Sequence, residues 1–399
     1  MRRLWIVLSF TCVIVLTGQV VQANPPFSGT IFIDPDIITS SDRTAFQGVS
    51  YAGQGLRLMF DRRSNSWIHV NAYLFNASFD DGLTCEIQVN PEFGGSVAAL
   101  AEAQKYGSVI GRLPTALRLS VETVWIHQGT QLFGGGNNNL LIHTGQADLY
   151  ESEGILEEAL VHEASHTSLD AAHAAAPGWL AAQVADGEFI SAYARDFPSR
   201  EDIAESFLPY LAIRHRSNRI SALLADTIGR TIPNRLAYFD AQTFNMYPLA
   251  GMMLRLDVRE TSFESGETLL VDVIGAYAGP AMSVDAYIGM IAPADTSSLF
   301  GCASGDVVVL LQEGGAGLVA RCASNGLQNF GRVAQGVTIP EDLPVTFVPE
   351  ILRFTWPMGF PGGSYTVFVA LTRADALGDG SVDVGDIVAV GAAQVSFAW

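Results

Sequence analysis

The chain has 399 residues, 49% of them hydrophobic and 16% charged, with 41 acidic against 22 basic side chains and a formal net charge of -19. That length exceeds what one hydrophobic core usually fills, so two domains are expected, and the composition excludes disorder over most of the chain. The acidity argues against nucleic acid and anionic membrane surfaces as partners and agrees with a protein kept soluble outside the cell.

The first 23 residues, MRRLWIVLSFTCVIVLTGQVVQA, join a basic start to an apolar run and a small-residue end. They read as a secretory signal peptide cleaved after Ala23, because the apolar run stops at Thr17 and Gly18, short of the roughly 20 residues a spanning helix needs. The expected location is therefore secreted, extracellular or periplasmic, with no membrane association after signal removal. Of the four cysteines, Cys12 leaves with the signal. Export permits disulfides, and Cys302 and Cys322 are expected to pair. Cys85 reads as a buried strand thiol, with no helix start or basic cluster beside it to lower its pKa.

From Ile31 to Val89, short apolar runs such as IFIDPDIITSS, WIHVNAYLF and LTCEIQVN predict strands joined by turns. Val97, Leu100, Ala101, Gln104 and Ser108 predict a helix over Ser96–Arg112, ended by Gly111 and Pro114. Two further strands, SVETVWIHQG and NLLIHTG, flank the glycine run Gly134–Gly136, read as a turn; their His127 and His143 are expected to be packed histidines. A helix is predicted over Ser152–Ala175 with Ser152 as N-cap, another from Pro177, and a third over Arg200–Arg214 with Ser199 as N-cap and a kink at Pro209. After about Gly251, glycine-punctuated apolar strands predict a β-sandwich. Near the end, Asp375, Asp379, Gly380, Asp383 and Asp386 fit several positions of a calcium loop, but Leu377 offers no oxygen, so an acidic turn is expected.

The motif that carries chemistry is H-E-A-S-H, His162 to His166. Four residues advance a helix by about 400°, so both imidazoles leave one face and can grip one tetrahedral ion, with Zn2+ expected. Glu163 points to the same cleft, where it can take a proton from the attacking water and deliver it to a leaving amine. A third ligand is needed. His173 comes one residue late for the metzincin pattern, which needs histidine at Ala172 and glycine where Leu169 stands, and it is expected at the surface. Glu201 and Glu205, four apart in R-E-D-I-A-E-S-F, share a helix face: one can bind the metal while the other hydrogen-bonds a ligand histidine. Asp170, four after His166, can also support that face.

The stretch FISAYARDFPSREDIAESF, Phe189 to Phe207, resembles the corresponding segment of anthrax lethal factor-like gluzincin peptidases: a tyrosine, a short loop, then E-x-x-x-E, a small residue and Phe. The resemblance runs from about Leu140 to Phe207, under a fifth of the chain, and the loop from Tyr193 to Glu201 is one residue longer than in that family. It implies His162, His166 and Glu201 as metal ligands, Glu163 as the catalytic base, Glu205 as the supporting carboxylate and Tyr193 as the oxyanion donor. Tyr210 is the rival donor. In such folds the strand before the metal helix offers an edge for an extended peptide, here Leu140–Thr144.

These readings combine into an α+β zincin-like catalytic domain over residues 24–250 and an all-β, immunoglobulin-like sandwich over 251–399. The expected activity is zinc-dependent hydrolysis of a peptide or protein substrate; no ligand is assigned to the accessory domain. The alternatives are a secreted binding or adhesion protein with an inactive zincin fold, and a zinc hydrolase of non-peptide amides.

Overall fold

A computed structural model of the chain describes residues 24–315, 317–326, 330–379 and 384–398. The expected signal peptide and Cys12 lie outside the described residues, as do 380–383 of the calcium-like stretch. The described fold is mixed α/β with several sheets, and none of its helices is long and apolar enough to cross a membrane.

The first sheet is built from β1 (Phe46–Asp61), β2 (Ser66–Phe79), β3 (Thr84–Val89), β4 (Thr123–His127), β5 (Gly134–Gly136) and β6 (Asn139–His143), in the order β1-β2-β3-β4-β6-β5. β3, β4 and β6 run parallel, while β1 and β2 form a long antiparallel hairpin and β5 returns antiparallel to β6. Around this sheet lie α1 (Ser96–Ile110), α2 (Thr115–Arg118), α3 (Thr144–Ser152), α4 (Leu156–Ser168), α5 (Asp170–His173), α6 (Pro177–Asp186), α7 (Ala192–Asp196), α8 (Asp202–His215), α9 (Ala222–Thr231) and α10 (Pro233–Asp240). Helix α1 forms because Ala99, Ala103, Tyr106 and Ile110 recur at helical spacing and are fully buried. In α4, Leu160, Val161 and Ala164 are wholly buried, and each large apolar side chain of this kind contributes about 1.5–3 kcal/mol to holding the helix on the sheet.

Several expectations fail here for identifiable reasons. The predicted helix from Ser152 to Ala175 is three helices. Gly154 adopts a left-handed φ of 71°, its carbonyl accepts from the Asp36 amide, and a side chain there would meet the Asp36 carboxylate at 2.7 Å. Ser152 is thus the last residue of α3, its hydroxyl donating to the Leu149 carbonyl, and caps no helix start. Ser199 is not the N-cap of α8 either; Glu201 occupies that position without a side-chain capping bond. The segment IFIDPDIITSS is not a strand, although Ile37 and Ile38 are fully buried. The glycine run is strand β5, so the edge of Leu140–Thr144 is already covered. His173 is half-buried in an aromatic pocket, its Nδ1 2.7 Å from the Tyr238 hydroxyl.

From Gly251 the chain is mainly strands: β7 (Gly251–Val258), β8 (Ser262–Phe263), β9 (Thr268–Ala278), β10 (Met282–Ile291), β11 (Val308–Gln312), β12 (Leu318–Cys322), β13 (Ala334–Ile339), β14 (Thr346–Thr355), β15 (Gly363–Arg373) and β16 (Ile387–Phe397). One sheet has the order β12-β11-β10-β15-β16-β8 with β13 also on β10, and a second has β14-β9-β7. Leu269 and Val271 of the second sheet share a hydrophobic cluster with Met290 and Val367 of the first and with the fully buried Trp356. Cys302 and Cys322 form a disulfide. Cys85 is a buried free thiol whose pKa burial pushes up to about 12, the opposite of an activated nucleophile.

One ionic cluster fastens the helices. Arg235 of α10 is fully buried, with Nη1 2.8 Å from Asp186 of α6 and Nε 2.9 Å from Asp202 of α8. The Gln183 amide donates to the same Asp202 carboxylate at 2.7 Å, so the acids are satisfied from two sides.

Candidate metal centre

Helix α4 projects His162 and His166 one turn apart, and α8 packs across it with Glu201 at its N-terminal end. The two Nε2 atoms are 3.2 Å apart, and Oε2 of Glu201 lies 3.7 Å from that of His162 and 3.2 Å from that of His166. Two imidazole nitrogens and one carboxylate oxygen thus converge within 4.8 Å of one another, a donor set that fits a divalent cation. The N-terminus of α8 favours a carboxylate electrostatically, and its capping position leaves the Glu201 side chain free to turn to the histidines.

His166 and Glu201 each have an outer hydrogen-bond partner, and a buried carboxylate lies near His162. Asp170 Oδ2 is 2.8 Å from Nδ1 of His166, which fixes that ring and leaves Nε2 facing Glu201. Glu205 Oε1 is 3.5 Å from Nδ1 of His162, and its other oxygen accepts from the Ser191 hydroxyl at 2.5 Å. Tyr193 donates its hydroxyl to Oε1 of Glu201 at 2.9 Å.

The charges follow from these contacts. Burial opposes a proton on His166, but hydrogen bonds to Asp170 and Glu201 outweigh it and raise its pKa to about 10. Burial lowers His162 to about 3, and the neighbouring His166 adds to this. Burial also works against the Glu201 carboxylate, yet His166 and Tyr193 pull its pKa below the ordinary value. Burial raises Glu163 to about 7, against the pull of His166, Arg62 and the hydrogen-bonding Gly135 amide.

Glu163, both histidines, Glu201, Tyr193 and Asp170 line one cleft of about 870 Å3. Tyr210 does not: it is buried among Phe207, Phe239 and His215. His127 and His143 are also away from it, stacked and fully buried on neighbouring strands. The cleft has walls that sequence reasoning missed. The segment Ser28–Ile31 lies against Tyr193, and the Phe27 and Ser28 carbonyls accept from the Ala192 and Tyr193 amides. Arg62, Phe133 and Tyr150 form the opposite side, and no local pattern in the sequence marks them. Strand β5 passes so close to α4 that a side chain at Gly135 would meet the Glu163 main-chain oxygen at 1.9 Å.

No family model and no curated protein matches the chain. Solved structures align only weakly. The CARDB domain of a Pyrococcus furiosus protein, in complex with di-metal ions, is 9% identical with a TM-score of 0.19, covering 37% of this chain and 89% of that one. A sporulation control protein of Bacillus subtilis is 11% identical with a TM-score of 0.19, covering 37% of this chain and 48% of that one. An alkylpurine DNA glycosylase of Pseudomonas fluorescens, bound to DNA containing an abasic site analog, is 11% identical with a TM-score of 0.21, covering 63% of this chain and 54% of that one. At these scores the alignments carry no assignment.

Proposed function

We propose that the chain is a secreted, zinc-dependent endopeptidase of the gluzincin type, with a zincin-like catalytic domain over 24–250 and an immunoglobulin-like sandwich over 251–399 as accessory domain. The observation that carries this reading is the convergence of His162 Nε2, His166 Nε2 and Glu201 Oε2 in the cleft that also holds Glu163. Two imidazole nitrogens and one carboxylate are the donor set of a catalytic zinc site, which needs three protein ligands and an open position. A bound zinc ion supplies Lewis acidity at a scissile carbonyl and lowers the pKa of water.

The rest is the work of the chain's own side chains. Glu163 follows His162 directly, so its carboxylate shares the cleft with the ligands, where it accepts the proton of the attacking water and returns it to the leaving amine. Asp170 orients His166 before substrate arrives, and the Glu205 carboxylate lies 3.5 Å from Nδ1 of His162. Tyr193 brings a phenolic O–H to the Glu201 side of the cleft, the donor available for negative charge on the carbonyl oxygen. Gly135 and Gly136 of β5 line the same cleft beside Glu163.

The test is Glu163→Gln, assayed against a panel of peptides and small amides with zinc measured in parallel. The expected result is peptide hydrolysis reduced by about 10²–10⁴-fold with one zinc kept per chain. Undiminished hydrolysis overturns the assignment of Glu163, and hydrolysis of amides but not peptides overturns the substrate class.

A further inference from the structure

A second cleft, of about 740 Å3, opens where residues 41–43 and 214–219 meet Pro248–Ala250 and the turns at Gly279 and Asp342. In a chain of net charge -19 with 22 basic residues, four of them, Arg43, Arg214, Arg216 and Arg219, line this one cleft, against Asp42 and Asp342. Electrostatics alone would spread so few cations over so acidic a surface, so their convergence asks for a partner.

The four are not equally satisfied. Arg219 grips Asp42 with two nitrogens, at 2.5 and 2.7 Å, and Arg214 grips Asp240 in the same way. Arg43 and Arg216 have no carboxylate within hydrogen-bonding distance among the described residues. Arg43 is held by the Leu343 carbonyl at 2.9 Å and lies over the Tyr247 ring. Arg216 donates Nη1 to the His215 and Leu249 carbonyls at 2.8 and 3.0 Å, its Nη2 is 3.8 Å from Asp42, and its Nε is buried with no partner. Carbonyl bonds fix these two guanidinium groups in place, and the carboxylates nearest them, Asp42 and Asp342 for Arg216 and Asp80 for Arg43, act on them without a hydrogen bond. Burial lowers the Arg216 pKa, with Asp42 and Asp342 opposing and Arg219 adding to the effect.

We infer that this cleft is a binding site for a multivalent oxyanion, a phosphate or sulfate group, with Arg43 and Arg216 as its charge partners. Guanidinium forks match the geometry of such groups and bind them with charge-assisted hydrogen bonds. The cleft is larger than a bare ion, so it accommodates the ion as part of an ester. Its lining comes both from the helical part of the chain and from the turns after β9 and before β14, so the bound group ties those parts together. The site is separate from the histidine cluster, and the inference does not depend on hydrolysis.

The experiment is calorimetric titration of the full chain with inorganic phosphate and with glucose 6-phosphate, at constant ionic strength in chloride, for the wild type and four variants. The wild type is expected to bind one equivalent saturably. Arg43→Met and Arg216→Met should each weaken binding at least tenfold, while Asp342→Asn, which removes an exposed competing carboxylate, should tighten it severalfold. Glu201→Gln, at the histidine cluster, should leave it unchanged. Tighter binding of the ester identifies an esterified ligand, and tighter binding of phosphate identifies the free ion. If Arg216→Met fails to fold, Arg43→Met and Asp342→Asn decide. No saturable binding of either probe, equal affinity in the wild type and the Arg43 and Asp342 variants, or loss of binding in Glu201→Gln overturns the inference.

Discussion

Gly135 lies against the main-chain carbonyl of Glu163, so close that a Cβ on the glycine would sit 1.9 Å from the oxygen. The Gly135 amide also hydrogen-bonds the Glu163 carboxyl group, so a strand without side chains and the central acid of the motif are one unit. Gly136 continues the contact, its amide donating to the Thr167 hydroxyl at 2.8 Å. Gly135→Ala is therefore expected to separate β5 from α4, at a cost of about 1–3 kcal/mol or more. Urea unfolding measures this, and a variant as stable as the wild type would refute the close approach.

Asp170 holds His166 through Nδ1 at 2.8 Å. Asp170→Asn removes the charge and keeps the shape. Zinc affinity, measured by competition with a chelator, is expected to fall about 10–100-fold, with activity recovered at saturating zinc. Unaltered affinity would mean that the ring needs no such support.

Tyr193 touches Glu201 and lines the cleft, whereas Tyr210 is buried away from it. On the proposed chemistry, Tyr193→Phe should lower kcat about 10²–10³-fold with little change in KM or zinc content, and Tyr210→Phe should leave kcat alone. A reversed pattern in steady-state kinetics would move the oxyanion role to Tyr210.

The Glu158 carboxyl group is fully buried and accepts from the Ile38 amide at 2.9 Å, with its second oxygen unpartnered. Burial raises its pKa from 4.5 to about 8. The folded protein therefore binds a proton that the unfolded chain has lost, so this contribution is complete below pH 4.5 and disappears as pH rises through about 8. Glu158→Gln should flatten the fall in unfolding free energy between those limits, by on the order of a few kcal/mol at the alkaline end. Parallel slopes for the two proteins in urea unfolding across that range would contradict the burial effect.

Much of this was legible in the sequence because it depends on short periods. His162 and His166 share a helix face by spacing alone, and so do Glu201 and Glu205; the packing of α8 on α4 then brings Glu201 to the histidines. The alternation in β2, β9 and β15 likewise follows from local pattern. What stayed hidden depends on long-range contact. Gly154 looks neutral in an apolar helical stripe until Asp36 takes the space beside it. A run of three glycines carries turn signals, and only the pairing with β6 and the crowding of α4 make it a strand. Ser28–Ile31 and Arg62 reach the cleft from far along the chain, with nothing in their neighbours to announce it.

Arg235 stands on α10, well past the last residue of the histidine cluster, yet it binds Asp202, the residue next to Glu201. Without the guanidinium, Asp186 and Asp202 would be two buried acids with no counter-charge, and α8 would lose its ionic tie to α10. A fragment ending before Pro233 would carry His162, His166 and Glu201 and still lack the guanidinium that pairs with Asp202, the residue beside Glu201.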